Sequence, residues 1–132
     1  MRLVNITIKN YRLLINADLK VDNNTTLIVG RNNTAKTSCI ELIDKVLKNK
    51  GLSYDDFPLI KRRCAYVLLA QFMRNKLSYE KLCEKFPITC IDFMVDYILD
   101  DPNMNLGALA PFIIDVDVDS TTAIIHVEYS IK

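Results

Sequence analysis

The chain contains little glycine and proline, one histidine and no tryptophan, with three glycines and four prolines among its 132 residues. Such a low content of chain-breaking residues argues against flexible linkers and against disorder. Half of the residues are apolar and a quarter are charged, which is the composition of an ordinary globular protein. We therefore expect residues 1–132 to form one lobe with a hydrophobic core of its own.

Net charge and long apolar runs are also lacking. Seventeen basic residues against sixteen acidic ones leave a formal charge of +1, so the electrostatic footprint of a nucleic-acid-binding protein is missing. No apolar stretch approaches the length of a membrane span, and the N-terminus has no apolar segment typical of a secretion signal. These absences predict a cytoplasmic protein without membrane association, and they give no argument for DNA binding by this chain.

Metal-binding patterns in the sequence are weak. The cysteines at positions 39, 64, 83 and 90 form no C-x-x-C pair, and His126 has no second histidine at zinc-ligand spacing. We expect reduced core thiols and a structural histidine. The aspartates Asp115, Asp117 and Asp119 resemble the start of a calcium loop. However, Ser120 and His126 stand where that loop requires a glycine and a bidentate acid.

Apolar periodicity predicts the order of strands and helices. Alternation over residues 3–9 and 13–21 indicates two strands, with Val4, Ile6 and Ile8 on one face of the first. Helical spacing favours helices over residues 34–50 and 58–75, and Ser78 is the expected cap of a third helix that ends near residue 86. Alternation over residues 91–99 predicts a long strand, and residues 112–118 and 123–131 are expected to form a hairpin.

The segment that carries chemistry follows a short apolar run, Leu27, Ile28 and Val29, which predicts a buried central strand. This run leads into residues 30–37, G-R-N-N-T-A-K-T. They fit the phosphate-loop pattern G-x-x-x-x-G-K-[ST] at every fixed position except the sixth. The segment also lies between a predicted strand and a predicted helix, as a phosphate loop requires. The alternative is an ordinary strand-to-helix turn that contains a lysine.

The residue types in this segment suit the chemistry of phosphate binding. Main-chain N–H groups of residues 33–37 would converge on a β-phosphate at the positive end of a helix. Lys36 would supply a cation for the β and γ oxygens, and Thr37 would offer its hydroxyl to Mg²⁺. The residues expected to bind ATP and Mg²⁺ are Gly30, Asn32, Asn33, Thr34, Ala35, Lys36, Thr37 and Ser38.

Ala35 departs from the pattern, because it stands where the motif has glycine. Its Cβ either strains a residue with positive φ, at a cost on the order of 1–2 kcal/mol, or occupies space near the phosphate. We expect binding to be weakened without being abolished. A phosphate loop that has lost its ligand is a further alternative.

The first third of the chain resembles a known family. The run I-T-I-K-N-Y-R at 6–12 and the run L-I-V-G-R-N-N-T-A-K-T-S at 27–38 look like the N-terminus of one group of ABC-type ATPases. This is the RecF, SMC and OLD (overcoming lysogenization defect) group. The N-N-T run with K-T-S is most similar to OLD-like ATP-dependent nucleases, including Gabija-type anti-phage proteins. The resemblance is strong over residues 1–45 and looser over 111–117.

The order of strand, phosphate loop and helix predicts an α/β P-loop lobe with N-terminal antiparallel strands, a central strand before the loop, and a mixed sheet completed by a C-terminal β-hairpin. The resemblance implies an ATPase whose head forms a homodimer around two nucleotides and controls DNA processing. In the OLD branch a Toprim nuclease domain follows. Arg12 matches a position for which the resemblance implies contact with a phosphate or the nucleotide.

Several elements of the resembled ATPases do not occur in these 132 residues: an LSGG-like signature, a Walker B acidic pair and the Toprim carboxylates. We therefore expect the chain to be a fragment of a longer ATPase, with hydrolysis absent or very slow in the fragment alone. The leading hypothesis is an ATP- and Mg²⁺-binding lobe that acts in DNA metabolism or phage defence. The alternative is a non-catalytic scaffold lobe with a degenerate phosphate loop.

Overall fold

A computed structural model describes residues 2–31, 35–97 and 121–130 of the chain. Its strands are β1 (Arg2–Tyr11), β2 (Leu14–Lys20), β3 (Thr89–Asp96) and β4 (Thr122–Tyr129). The helices are α1 (Lys36–Leu47), α2 (Leu59–Met73) and α3 (Tyr79–Lys85), with a short 3₁₀ helix at Tyr54–Asp56. The four strands form one antiparallel sheet in the order β2-β1-β3-β4.

The hairpin of β1 and β2 begins the sheet as the alternation predicts. Ile6 pairs with Leu19 and Ile8 with Ala17, so these apolar side chains share one face. A register irregularity between Leu3 and Asn5 interrupts the ladder to β3. Because such a bulge reverses the face of the residues before it, Leu3 rather than Val4 packs against the core. The prediction that Val4 shares the core face was wrong for this reason.

Helix α1 covers the apolar face of the sheet and forms the core with it. Cys39 and Leu42 on α1 are buried together with Ile6, Ile8 and Ile91 on the strands. Fully burying one such aliphatic side chain contributes about 1.5–3 kcal/mol. The predicted helix is confirmed.

The opposite face of the sheet is polar. In the β3–β4 ladder Cys90 lies opposite Glu128 and Asp92 lies opposite His126, and Lys9 on β1 is the neighbour of Cys90 on the other side. All five side chains follow the period-two alternation away from the core residues of their strands. His126 is exposed, as expected for a residue opposite the core.

The predicted central strand at residues 27–29 is absent from the described structure. Residues 25–31 have no strand assignment, and the side chains of Leu27 and Val29 are 78% and 76% exposed. A strand apolar on both faces needs cover on both faces and a neighbour to pair with. The edges of the described sheet are β2 and β4, so this run has neither. The mixed sheet was also a wrong prediction for this part of the chain, since all its strand pairs are antiparallel.

The second and third helices are confirmed within two residues of their predicted ends. Pro58 precedes α2, and the hydroxyl of Ser78 accepts a hydrogen bond from the Lys81 N–H at the start of α3. The expectation of core thiols holds only for Cys39, which is buried, while Cys64 on α2 is exposed. Apolar residues surround much of α2, so their spacing does not determine which face is buried.

Several predictions concern residues outside the described ranges. They are the loop sites at Asn32, Asn33 and Thr34, the first hairpin strand at 112–118, and the aspartates at 115, 117 and 119. The second strand of that hairpin is β4, which pairs with β3. Among the residues that the structure describes, no helix is both long and apolar enough to cross a membrane.

Candidate functional site

The candidate site begins at Ala35, the residue immediately before α1. Its backbone has φ 67° and ψ 9°, in the left-handed region, and its carbonyl accepts the hydrogen bond from Cys39 N at 3.0 Å. Glycine adopts this conformation without cost, whereas a Cβ costs roughly 1–2 kcal/mol. The sequence analysis expected alanine either to strain a backbone with positive φ or to occupy space near the phosphate, and the structure shows the positive φ.

The N-terminus of α1 begins with N–H groups that have no partner within the helix. The first hydrogen bond along the helix comes from Cys39, so the N–H groups of Lys36, Thr37 and Ser38 precede it. No side chain in the described part of the chain caps this end, and the first turn carries no acidic residue. The helix dipole therefore places a partial positive charge here, where an anion is stabilised.

Lys36 is folded back over the loop that precedes it. Its Nζ donates hydrogen bonds to the carbonyl oxygens of Gly30 and, at 2.7 Å, of Arg31. These contacts bring Gly30 and Lys36 together across the sequence gap between them. The ammonium has carbonyl oxygens as acceptors in this state, and phosphate oxygens are stronger acceptors for the same donors.

Thr37 and Ser38 differ in their access to solvent. Thr37 is exposed, whereas Ser38, the next residue of α1, is buried. A magnesium ion usually keeps several waters and takes one or two protein oxygens. Thr37 is therefore better suited than Ser38 to contribute a ligand, and Ser38 is the less accessible of the predicted phosphate contacts.

Arg12 lies in an ion-pair network with two carboxylates. Its guanidinium contacts Glu41 on α1 and bonds to Asp56, with 3.1 Å from Nε and 3.0 Å from Nη2 to Oδ1. The Arg12 N–H also donates to the Asp56 carbonyl oxygen at 2.7 Å. Glu41 follows Lys36 by five residues, or about 7.5 Å along the helix axis. Arg12 thus contacts α1, the helix that follows the candidate loop, and its described side-chain hydrogen bonds go to carboxylates.

Asp56 is the centre of this network and is fully buried. Its carboxylate also accepts from Lys45 Nζ at 2.7 Å, from Ser53 N at 2.9 Å and from the Tyr11 hydroxyl at 3.3 Å. Burial alone would raise the pKa of Asp56, but the hydrogen bonds from Lys45, Ser53 and Arg12 outweigh it and hold the pKa well below its usual range.

The sequence analysis did not single out Asp56, although a signal for it was present. Ser53 and Asp56 form the S-x-x-D capping pattern, and both of its hydrogen bonds occur at the short 3₁₀ helix. The pattern identifies a local cap. It does not reveal that the same carboxylate also binds Arg12 and Lys45, which come from other parts of the chain.

One of three comparisons with known proteins found a match. Residues 1–123 match the family described as the AAA ATPase domain, a span that includes β1, the loop and α1. Searches of curated proteins and of solved structures found no match. Since the family match covers most of the chain, it establishes the family, and an ATPase domain of this kind is a nucleotide-binding lobe. The chain belongs to the AAA ATPase domain family.

Proposed function

We propose that the loop of residues 30–37 and the first turn of α1 bind the phosphates of ATP, with Mg²⁺ beside Thr37. The observation that carries this proposal is the N-terminus of α1, where no side chain of the described residues forms a cap and the Lys36 ammonium bonds to the carbonyl oxygens of Gly30 and Arg31. On ATP binding, the lysine exchanges the carbonyl oxygens of Gly30 and Arg31 for the β and γ oxygens. Asn32, Asn33, Thr34 and Ser38 complete the proposed contacts.

In this proposal Arg12 has a supporting role near the nucleotide. Its guanidinium is anchored by Asp56 and Glu41, and the anchor on α1 keeps it at the side of the same helix. A nucleotide phosphate or the base would compete with Glu41 for this guanidinium, because a side-chain pair that is partly open to water is weak. Asp56, which is buried, would remain bound.

Calorimetric titration of ATP with Mg²⁺ tests the binding proposal. The wild-type chain is expected to release or absorb heat with a saturable isotherm, and Lys36→Ala is expected to lose it, since the variant removes the cation for the phosphates. Lys48→Ala is the matched control, because Lys48 lies at the other end of α1 and pairs with Asp44. Equal isotherms for Lys36→Ala and Lys48→Ala, or none in the wild type, would refute the proposal.

We further propose that this lobe belongs to an OLD-like or RecF-like ATPase that acts in DNA metabolism or phage defence, with a head that dimerises around ATP. The resemblance at residues 6–12 and 27–38 supports it. By itself the chain is expected to bind ATP and to hydrolyse it very slowly, because most transition-state stabilisation requires further groups around the γ-phosphate. Sedimentation with ATP and single-turnover hydrolysis would test dimerisation and turnover separately.

A scaffold lobe with a degenerate phosphate loop is the second candidate. The strained backbone at Ala35 and the engagement of Lys36 with loop carbonyls favour it. The two candidates differ in the response to Ala35→Gly. If the wild type binds no ATP and Ala35→Gly does, the scaffold hypothesis is correct. If both bind ATP, the nucleotide-binding hypothesis is correct, and the Ala35→Gly variant is expected to bind ATP more tightly than the wild type.

A further inference from the structure

The polar face of the sheet, on the side away from α1, holds a group of metal-ligating side chains on neighbouring strands. The β3–β4 register sets Cys90 opposite Glu128 and Asp92 opposite His126. One ligand atom from each of Cys90, His126 and Glu128 lies within 4.8 Å of the others. Directly opposed residues in an antiparallel pair have Cβ atoms about 4.5–5.5 Å apart, so the ladder itself holds these side chains together.

The imidazole of His126 is oriented at both of its nitrogens. Nδ1 contacts the carboxylate of Asp92, and Nε2 lies 3.6 Å from Oε2 of Glu128. A histidine that donates one N–H to a carboxylate has its other nitrogen fixed in tautomer and direction, which is the usual arrangement of a metal-ligating histidine. With Nδ1 at Asp92, Nε2 lies on the side of Glu128.

The charges around this cluster favour a cation. The β3–β4 ladder brings the carboxylates of Glu128 and Asp92 beside Cys90 and His126, while Lys9 lies opposite Cys90 on β1. A divalent cation bound among these side chains would neutralise the two carboxylates.

We propose that Cys90 Sγ, His126 Nε2 and Glu128 bind one Zn²⁺ ion, with Asp92 orienting the imidazole. Thiolate, imidazole and carboxylate are the ligands that zinc prefers, at about 2.0–2.3 Å, which places tetrahedral ligand atoms roughly 3.4–3.7 Å apart. Side-chain rotations that move the atoms by about one ångström bring them from the present separation to this geometry. Binding releases the Cys90 thiol proton to solvent, and water takes the fourth position.

The simpler explanation is an ordinary pair of charged residues on a solvent-facing ladder. A cross-strand Asp92–His126 pair contributes about 0.2–1 kcal/mol without any metal. It accounts for two of the four residues and gives no role to the thiol beside them. The two explanations therefore differ at Cys90, which the metal site requires and the charge pair does not.

A competition titration of Zn²⁺ against a chromophoric chelator, without nucleotide, tests the site. The wild type is expected to bind one equivalent, and Cys90→Ser and His126→Ala are each expected to bind it roughly 10- to 100-fold more weakly. Cys64→Ser is the matched control, since Cys64 is an exposed thiol on α2. Unchanged affinity in Cys90→Ser, or a loss in Cys64→Ser as large as in Cys90→Ser, would overturn the proposal.

Thiol protection in the wild-type chain gives a second measurement that depends on no variant. With iodoacetamide and peptide mass spectrometry, Zn²⁺ is expected to slow alkylation of Cys90 and to leave the rate at Cys64 unchanged, because a metal-bound thiolate is shielded. Equal rates at Cys90 with and without Zn²⁺ would show that the thiol is not a ligand. Neither measurement involves ATP, so its result is independent of the phosphate loop.

Discussion

Ala35, in the candidate phosphate loop, has a backbone conformation that favours glycine. Its φ of 67° costs an alanine roughly 1 kcal/mol that glycine avoids, so Ala35→Gly is expected to raise the free energy of unfolding by about that amount. Ala70→Gly is the control, because Ala70 lies inside α2, where glycine lowers helix stability by about 1 kcal/mol. Urea denaturation measures the free energy of unfolding of both variants. Destabilisation of the same size at Ala35 would contradict the left-handed conformation.

At the residue scale, the sequence predicts what is local. The strain at Ala35 follows from comparing eight residues with a motif whose sixth position takes glycine. The burial of Asp56 does not follow from its neighbours, since Arg12 and Lys45 reach it from 44 and 11 residues away. The Cys90 and His126 cluster was missed for the same reason. Zinc-ligand spacing is a pattern along the chain, whereas these ligands meet across a β ladder.

The Asp56 network joins three elements: the β1–β2 turn through Arg12, helix α1 through Lys45, and the 3₁₀ helix through Ser53. Asp56→Asn removes the buried negative charge and leaves both cations without it. The variant is expected to lower the free energy of unfolding by roughly 3 kcal/mol at neutral pH. Asp55→Asn is the control, because its side chain is 84% exposed and an exposed pair contributes little. Equal losses in the two variants would contradict a central role for Asp56.

The same network predicts a dependence of stability on pH. The hydrogen bonds to Asp56 hold its pKa in the folded protein below the unfolded value of about 3.9. Its contribution is therefore complete above that value and is lost as the pH falls through the folded-state pKa. Denaturation curves measured from neutral to acid pH should show a smaller decrease in the free energy of unfolding for Asp56→Asn than for the wild type. Parallel decreases would show that other carboxylates cause the acid sensitivity.

Elements were predictable to different degrees. The three helices were found from their own spacing and caps, because hydrogen bonds within a helix join residues four apart. The strands β1 and β2 were found from alternation. The run at 27–29 has the composition of a central strand, but it pairs with no described strand and Leu27 and Val29 are exposed, because a strand exists only where a neighbour pairs with it. Composition alone cannot supply that neighbour.

On the scale of the whole molecule, the antiparallel sheet and α1 form a body with two distinct faces. The core lies between the sheet and α1, the candidate phosphate loop precedes that helix, and the polar face carries the proposed zinc ligands. The two proposed sites share no residue. A variant at one is therefore expected to leave ligand binding at the other unchanged, since mutations without shared partners act nearly independently.

If ATP with Mg²⁺ binds at the loop as proposed, it should raise the thermal stability of the entire chain, because a ligand that binds the folded state and not the unfolded one shifts the equilibrium toward folding. At a hundredfold excess over the dissociation constant the gain is about 2.7 kcal/mol, or a rise in Tm of roughly 10 °C for a domain of this size. Differential scanning fluorimetry with ATP and Mg²⁺ should show this rise in the wild type and in Lys48→Ala, and no rise in Lys36→Ala. Withholding Mg²⁺ should reduce the shift, because in the proposed site the ion would neutralise phosphate charge beside Thr37. An equal shift in both lysine variants would mean that ATP stabilises the chain at some place other than the loop.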